Sequence, residues 1–260
     1  MQIEVWAHSD VGLIRKSNQD ALGVYPDLGI FILADGMGGH AAGEVASQMA
    51  VHAIYDDLHH HRLGNAPSLS VRMARMLGRS SAHTNAEAAL RAALEHANRQ
   101  IVQASTNAAD GPSERPMGST AVVLFIGPNE ARARWAHVGD SRLYRLRVGA
   151  LALLTADHTL PGDRYRGAAI IPTDLPHTNV LLQALGTQPE VDVAVGGADV
   201  EPGDLFLLCS DGVSGMVGAA FIQDSLSKAP TLEAAGQALI RGALDAGGRD
   251  NASLILVRIV

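Results

Sequence analysis

Cysteine is almost absent from this chain of 260 residues: Cys209 stands alone. A single thiol excludes an internal disulfide and a thiolate metal cage. Its place in the apolar run Leu205-Phe206-Leu207-Leu208-Cys209 predicts a buried core thiol rather than a nucleophile. An excess of positive charge is missing too. The net charge of -7 argues against nucleic acid or an anionic membrane as partner, since both demand a basic patch. No apolar run approaches membrane-spanning length. The opening Met1-Gln2-Ile3-Glu4 has neither the basic nor the apolar region of a secretion leader, so the chain reads as cytoplasmic. Neither a repeat of about 20–50 residues nor a GxGxxG or GxxxxGK loop is present, which argues against a glycine-rich nucleotide-binding domain.

What is there suffices for a well-filled core: 47% of residues are hydrophobic and only 18% charged, which excludes a disordered chain. No linker divides the sequence, and a single domain over residues 1–260 is expected. Short β-branched and aromatic runs predict strands at 2–8, 20–25, 30–34, 119–126, 132–138, 143–146, 191–195, 205–209 and 253–260. The three runs between 119 and 146 read as an antiparallel meander. Helical spacing of Ala42, Ala46, Ala50, Ile54 and Leu58 predicts one helix. A capping box at Thr84-Asn85-Ala86-Glu87 predicts the start of a second, and Leu232, Ala235, Leu239 and Ala243 mark a last one. His59-His60-His61 reads as a solvated helix end, because consecutive side chains diverge around a helix. Between Asp157 and Pro189 the periodicity dissolves amid four prolines, which predicts a surface flap at about 157–189.

The chain is organised around Asp35-Gly36-Met37-Gly38-Gly39-His40, at the end of the apolar run Ile30-Phe31-Ile32-Leu33-Ala34. Asp35 therefore sits at a strand tip, and the glycines let backbone carbonyls approach a ligand. Alone, Asp35 reads equally well as a turn-former bonded to its own backbone. The other acidic residues decide between the two. Asp20, Asp35, Asp140, Asp211 and Asp250 all lie where a predicted strand meets a glycine- or asparagine-containing turn. Five converging carboxylates repel one another unless protons or cations neutralise them. Oxygen ligands without nearby Cys or paired His select hard ions, Mg2+ or Mn2+. Two such ions bridged by an aspartate activate water and clamp the oxygens of an in-line displacement. Arg15, on the same rim, is suited to grip a phosphate as a fork. Metal-assisted hydrolysis of a phosphate ester is the reaction class these residues imply.

Eight short stretches, taken in order, resemble the motifs of bacterial type 2C metal-dependent serine/threonine protein phosphatases. They are Arg15-x-x-Asn18-Gln19-Asp20, Asp35-Gly36-Met37-Gly38-Gly39-His40, Gly118-Ser119-Thr120, Gly139-Asp140-Ser141-Arg142, Asp157-His158-Thr159, Ala184-Leu185-Gly186, Ser210-Asp211-Gly212 and Asp250-Asn251. The resemblance implies an α+β fold: a four-layer α-β-β-α sandwich of two antiparallel sheets, with a dinuclear metal site between them at one end. By motif, it implies that Asp35 bridges two ions, the Gly36 carbonyl binds the second, and Asp211 and Asp250 complete the first. Asp20 holds water on the second ion, Asp140 shares a looser third with Asp211, and Arg15 takes the substrate phosphate. Arg15 and Asp35 are the catalytic candidates. The implied partners are phosphoprotein substrates and an opposing eukaryotic-like serine/threonine kinase, for a protein acting as a monomer.

Three positions depart from the pattern. Gln19 replaces a Glu ligand found in many relatives, and Met37 stands where eukaryotic members carry a His proposed as proton donor. His40, nearby, is a structural residue or a substitute donor. The flap reads Leu182-Gln183-Ala184-Leu185-Gly186 and lacks the Arg of the common Thr-Arg-Ala-Leu-Gly pattern. The rival reading is a non-catalytic phosphoprotein-binding module on the same fold, from which loss of metal aspartates would be expected.

Overall fold

The computed structural model describes residues 2–38, 42–62, 82–106, 117–127, 130–168, 170–178 and 180–260. Gly39, His40, residues 107–116, Pro128 and Asn129 lie outside them. Eleven strands are seen among the described residues: β1 Ile3–Asp10, β2 Asp20–Tyr25, β3 Ile30–Met37, β4 Gly118–Ser119, β5 Ala121–Ile126, β6 Arg132–Val138, β7 Arg142–Arg147, β8 Ala150–Leu153, β9 Ala194–Asp199, β10 Leu205–Cys209 and β11 Ala252–Ile259. The helices are α1 Ala42–Asp56, α2 Ala82–Thr106, α3 Leu160–Asp163, α4 Asp211–Ser214, α5 Ala219–Lys228 and α6 Leu232–Asp245.

Two antiparallel sheets form, ordered β1-β11-β10-β7-β8 and β2-β3-β5-β6-β9, with β4 attached to β3. Period-2 alternation explains how they stack. On β3, Ile30, Ile32 and Ala34 pack outward against α1 and α2. Phe31 and Leu33 point the other way, toward Phe206 and Leu208 of β10 and Ile255 and Val257 of β11. The outer face of the first sheet, including Leu207, Cys209 and Leu254, is covered by α5 and α6 through Ile222, Leu226 and Leu239. The result is the expected four layers. Cys209 is a fully buried core thiol, with burial pushing its pKa up to about 12.

Several local expectations are corrected. The strands at 119–146 are not one meander: β5 pairs with β6, but β7 crosses to the other sheet and pairs with β10 and β8. Gly139, at φ 101°, and Asp140 make that crossing. Thr84 does not start α2, which already runs from Ala82. The strand expected at 191–195 forms three residues later, and β8 and α5 were not anticipated. The chain from 157 to 189 is not wholly superficial: Asp157, His158, Thr159, Leu175 and Leu185 are buried. The 59–61 histidines fall in a π-helical continuation of α1, where the His59 ring stacks on Tyr55 at 5.3 Å.

Candidate active site

The inward-facing rows of the two sheets are apolar along most of their length and become polar at one shared end. Continuing each row by two residues, Leu22 leads back to Asp20, Leu33 on to Asp35 and Val122 back to Thr120. In the facing sheet Ala7 leads to Ser9, Leu143 back to Ser141, Leu208 to Ser210 and Ile255 back to Ser253. Period 2 thus places a ring of carboxylates and hydroxyls between the sheets, where the apolar core gives out.

Hydrogen bonds hold this ring. Asp35 donates its amide to Thr120 Oγ1 at 3.0 Å, while its carbonyl accepts from the Thr120 amide at 2.8 Å and from Ser119 Oγ at 3.0 Å. Thr120 and Ser141 share a hydroxyl hydrogen bond of 2.7 Å across the two sheets. Ser210 Oγ donates to Asp20 Oδ2 at 3.0 Å and accepts from the Ser253 amide at 3.1 Å. Ser9 Oγ and Ser253 Oγ lie 2.6 Å apart, and Asn18 donates to Ser9 Oγ at 2.6 Å. Gly36 admits no side chain, since a Cβ there would lie 2.1 Å from the Gly43 carbonyl oxygen. That contact seats the first turn of α1 against the tip of β3.

A pocket of about 350 Å³ opens at this end, lined by Arg15, Asp35, Gly36, Asp140, Asp211 and Asp250, together with Met37 and Gln19. Asp20 stands behind it, opposite Asp35 in the β2–β3 register. Six of the seven sequence-derived positions therefore share one cavity and the seventh adjoins it. Burial, then repulsion from Asp20 and Asp211, raises the Asp35 pKa well above the ordinary carboxylate range. Burial and neighbouring aspartates push Asp140 up to about 7 and raise Asp211. Arg15 Nη2 donates to Asp250 Oδ2 at 2.6 Å, so the rim guanidinium neutralises one member of the cluster.

The donor set fits a hard divalent cation. Asp20 Oδ1 and Asp211 Oδ1 are buried without a hydrogen-bond partner, which is costly for carboxylates unless a cation completes them. Among the described residues no three acidic or imidazole groups close tightly enough to hold an ion alone. Waters and main-chain oxygens would have to finish the shell, as they commonly do for Mg2+.

A model of the protein phosphatase 2C family matches residues 8–253. The chain belongs to the protein phosphatase 2C family. Among 2C relatives it is 33% identical to protein phosphatase PhpP of Streptococcus pneumoniae over 98% of this chain and 97% of that one. It is 33% identical to the serine/threonine phosphatase stp of Listeria monocytogenes over 96% and 93%. Solved 2C-type structures superpose throughout. PppA of Pseudomonas aeruginosa matches with a TM-score of 0.78 at 30% identity, covering 100% of this chain and 99% of that one. The catalytic domain of the phosphatase PstP, in complex with two manganese ions, matches at 0.77 and 31% identity, covering 99% and 98%.

In this 2C chain two residues that brace the candidate site have partners that the sequence did not disclose. Asn251 accepts from the Gln19 amide at 2.8 Å and donates to the carbonyls of Val11 at 2.8 Å and Ser17 at 3.0 Å, stapling the Arg15 loop to β11. Fully buried Arg142 grips Asp157 through Nε at 3.0 Å and Nη2 at 2.7 Å, and Nη2 also donates to the Leu175 carbonyl at 2.8 Å. That guanidinium ties the 157–189 segment to β7. An Asn after Asp and an Arg after Ser were visible in the motifs, but their partners are distant in sequence.

Proposed function

We propose that this chain is a metal-dependent phosphatase that hydrolyses phosphoserine and phosphothreonine on proteins. The observation that carries the reading is the convergence of Asp35, Asp140, Asp211 and Asp250 with Arg15 on one pocket, in a chain of the 2C family. Asp35, Asp211 and Asp250 with the Gly36 carbonyl would hold two divalent ions, Mn2+ or Mg2+, with Asp20 behind them and Asp140 available to a third. When bound, such ions supply an activated water and neutralise charge on the phosphoryl oxygens. The protein's part is positional. Asp35 is fixed by the Thr120 and Ser119 bonds, and Arg15 lines the pocket with its guanidinium on Asp250, suited to orient a phosphate. Met37 lines the same pocket and has no ionisable group, so it offers no proton to the leaving group. A binding module without catalysis is not favoured, because the principal aspartates of the motifs, Asp35, Asp140, Asp211 and Asp250, are all retained.

The reading extends to a monomer acting in the cytoplasm on phosphoproteins that include a serine/threonine kinase. The 157–189 segment would govern protein substrate choice, since Thr178 and Leu181 line the pocket beside Asp211. Exchanging it for a relative's should change preference among phosphoproteins while sparing a small aryl phosphate.

The deciding experiment is steady-state kinetics on a phosphothreonine peptide, with calorimetric Mn2+ titration. Asp35→Asn should abolish turnover and Mn2+ binding together. Arg15→Ala should keep the ions and lower kcat/KM about 10- to 100-fold. Full activity of the parent in excess chelator, or wild-type turnover by Asp35→Asn, would refute the assignment.

A further inference from the structure

A second cavity, sharing no lining residue with the first, lies between the sheets on the side of β6, β7 and β9. Period 2 on β6 directs Ala133, Trp135 and His137 toward the other sheet; on β7, Arg145 follows Leu143 on the inward face, while Tyr144 and Leu146 pack outward. Edge strand β9 brings Ala194, Gly196 and Ala198, which are too small to fill the gap. About 410 Å³ is left, lined also by Tyr165 to Ala168. That volume is in the range of small-molecule sites.

Two polar groups lining this cavity lack partners. His137 is 3% exposed, and its Nε2 lies 2.9 Å from the Ala156 carbonyl oxygen. A carbonyl only accepts, so Nε2 carries the proton and Nδ1 is a bare acceptor. Nδ1 is buried with no donor. Burial pushes the ring's pKa down to about 4, so it is neutral. Arg145 Nε is a donor, also buried, with no acceptor. Its nearby carboxylate, Asp204, is already held by Arg147 at 2.7 and 2.5 Å. The other cation of the lining, Arg166, is paired with Asp163 and Asp192. Native interiors rarely keep such groups unmatched, so among the described residues of its lining the cavity offers an unpartnered guanidinium N–H and an unpartnered imidazole acceptor beside aromatic walls.

We propose that this cavity is a binding site for a small planar organic carboxylate that also carries an N–H or O–H donor. The carboxylate meets the Nε edge of Arg145, which suits its two oxygens. The donor meets His137 Nδ1, and Trp135 and Tyr165 cover the flat body. A guanidinium whose nearby carboxylate, Asp204, is hydrogen-bonded to Arg147 instead matches a single negative charge.

The probe is 2-aminobenzoate, compared with benzoate, which lacks the donor, and aniline, which lacks the carboxylate. The chain has two tryptophans, Trp6 and Trp135, so an amide-correlation spectrum shows two indole signals, assigned with Trp6→Phe. A saturable shift of the Trp135 signal is expected with 2-aminobenzoate, a weaker one with benzoate and none with aniline. Arg145→Gln should weaken binding about tenfold or more, and Ala194→Leu, which fills the cavity, should abolish it. If Arg145→Gln does not fold, Arg145→Lys keeps the charge, loses the fork, and should bind more weakly than the parent. No saturable shift, equal binding of all three probes, or binding indifferent to both the Arg145 and Ala194 changes would overturn the site. So would shifts confined to the Gly36 amide, which place the probe in the aspartate pocket.

Discussion

Asp20 and Asp35 are direct partners across the β2–β3 pair, so two carboxylates leave adjacent strands on the same face of one sheet. Like charges so placed oppose each other, and burial strengthens the effect. The fold therefore carries an electrostatic cost at this end that a bound cation would offset.

Asp20→Asn tests this cost. Burial, with Asp211 and Asp250 adding to it, pushes the Asp20 pKa from 3.8 up to about 7, so the folded chain holds a proton that the unfolded chain has released. Stability is then lost as the pH rises from about 4 through about 7. Without divalent ions, the variant should exceed the parent at pH 8 by on the order of 1–3 kcal/mol and match it near pH 4. Its gain from Mn2+ should shrink. Thermal unfolding in chelator and in Mn2+ at both pH values measures this; a variant less stable than the parent at pH 8 in chelator refutes it.

The Arg142–Asp157 pair makes the opposite prediction. Both side chains are nearly inaccessible, at 2% and 0% exposure, so removing one partner strands a buried charge. Arg142→Met should cost about 3–5 kcal/mol in urea unfolding, and Arg142→Met with Asp157→Leu should recover much of it. A double variant no better than the single one would show that the ion pair is not what matters there.

Acid should expose a third group of residues. Burial pushes His137, His158 and His177 down to about 4, 3 and 4. The unfolded chain takes up their protons first, near pH 6.5, so stability falls as the pH drops from about 6.5 toward 4. The His177 ring is buried, with Arg142 opposing its protonation and the Ser214 backbone as a hydrogen-bonding neighbour. His177→Leu should therefore flatten the acid limb by up to about 1.4 kcal/mol per pH unit. Urea unfolding at pH 7, 6 and 5 compares the slopes; parallel slopes would remove His177 from the account.

The carboxylate cluster was legible because each aspartate stands where an apolar strand meets a turn, whereas the four layers came only from the resemblance of the ordered motifs. The alternation that makes Phe31 and Leu33 core residues also sends Asp35 inward, and the same holds for Leu22 and Asp20. Sheet membership was not local. Nothing in Arg132 to Leu146 announces that the chain changes sheets at Gly139-Asp140, since a tight turn and a crossing use the same glycine. The staple at Asn251 and the Arg142 grip escaped for a related reason. Each joins groups more than thirty positions apart in at least one of its bonds, and a single sequence carries no record of such pairs.

The order of synthesis bears on the strand arrangement. β11 is the last in order of the strands among the described residues, yet it lies inside its sheet, between β1 and β10, with Ile259 opposite Ile3. Until residues 252–259 have left the ribosome, β1 has no neighbour in its own sheet, and Asp250 and Asn251 are not there to bind Arg15 and the loop before β2. Such long-range closure slows folding relative to helical proteins of similar size. It also means that a chain lacking this strand holds an incomplete aspartate cluster, so competence for hydrolysis would wait on the pairing of β11.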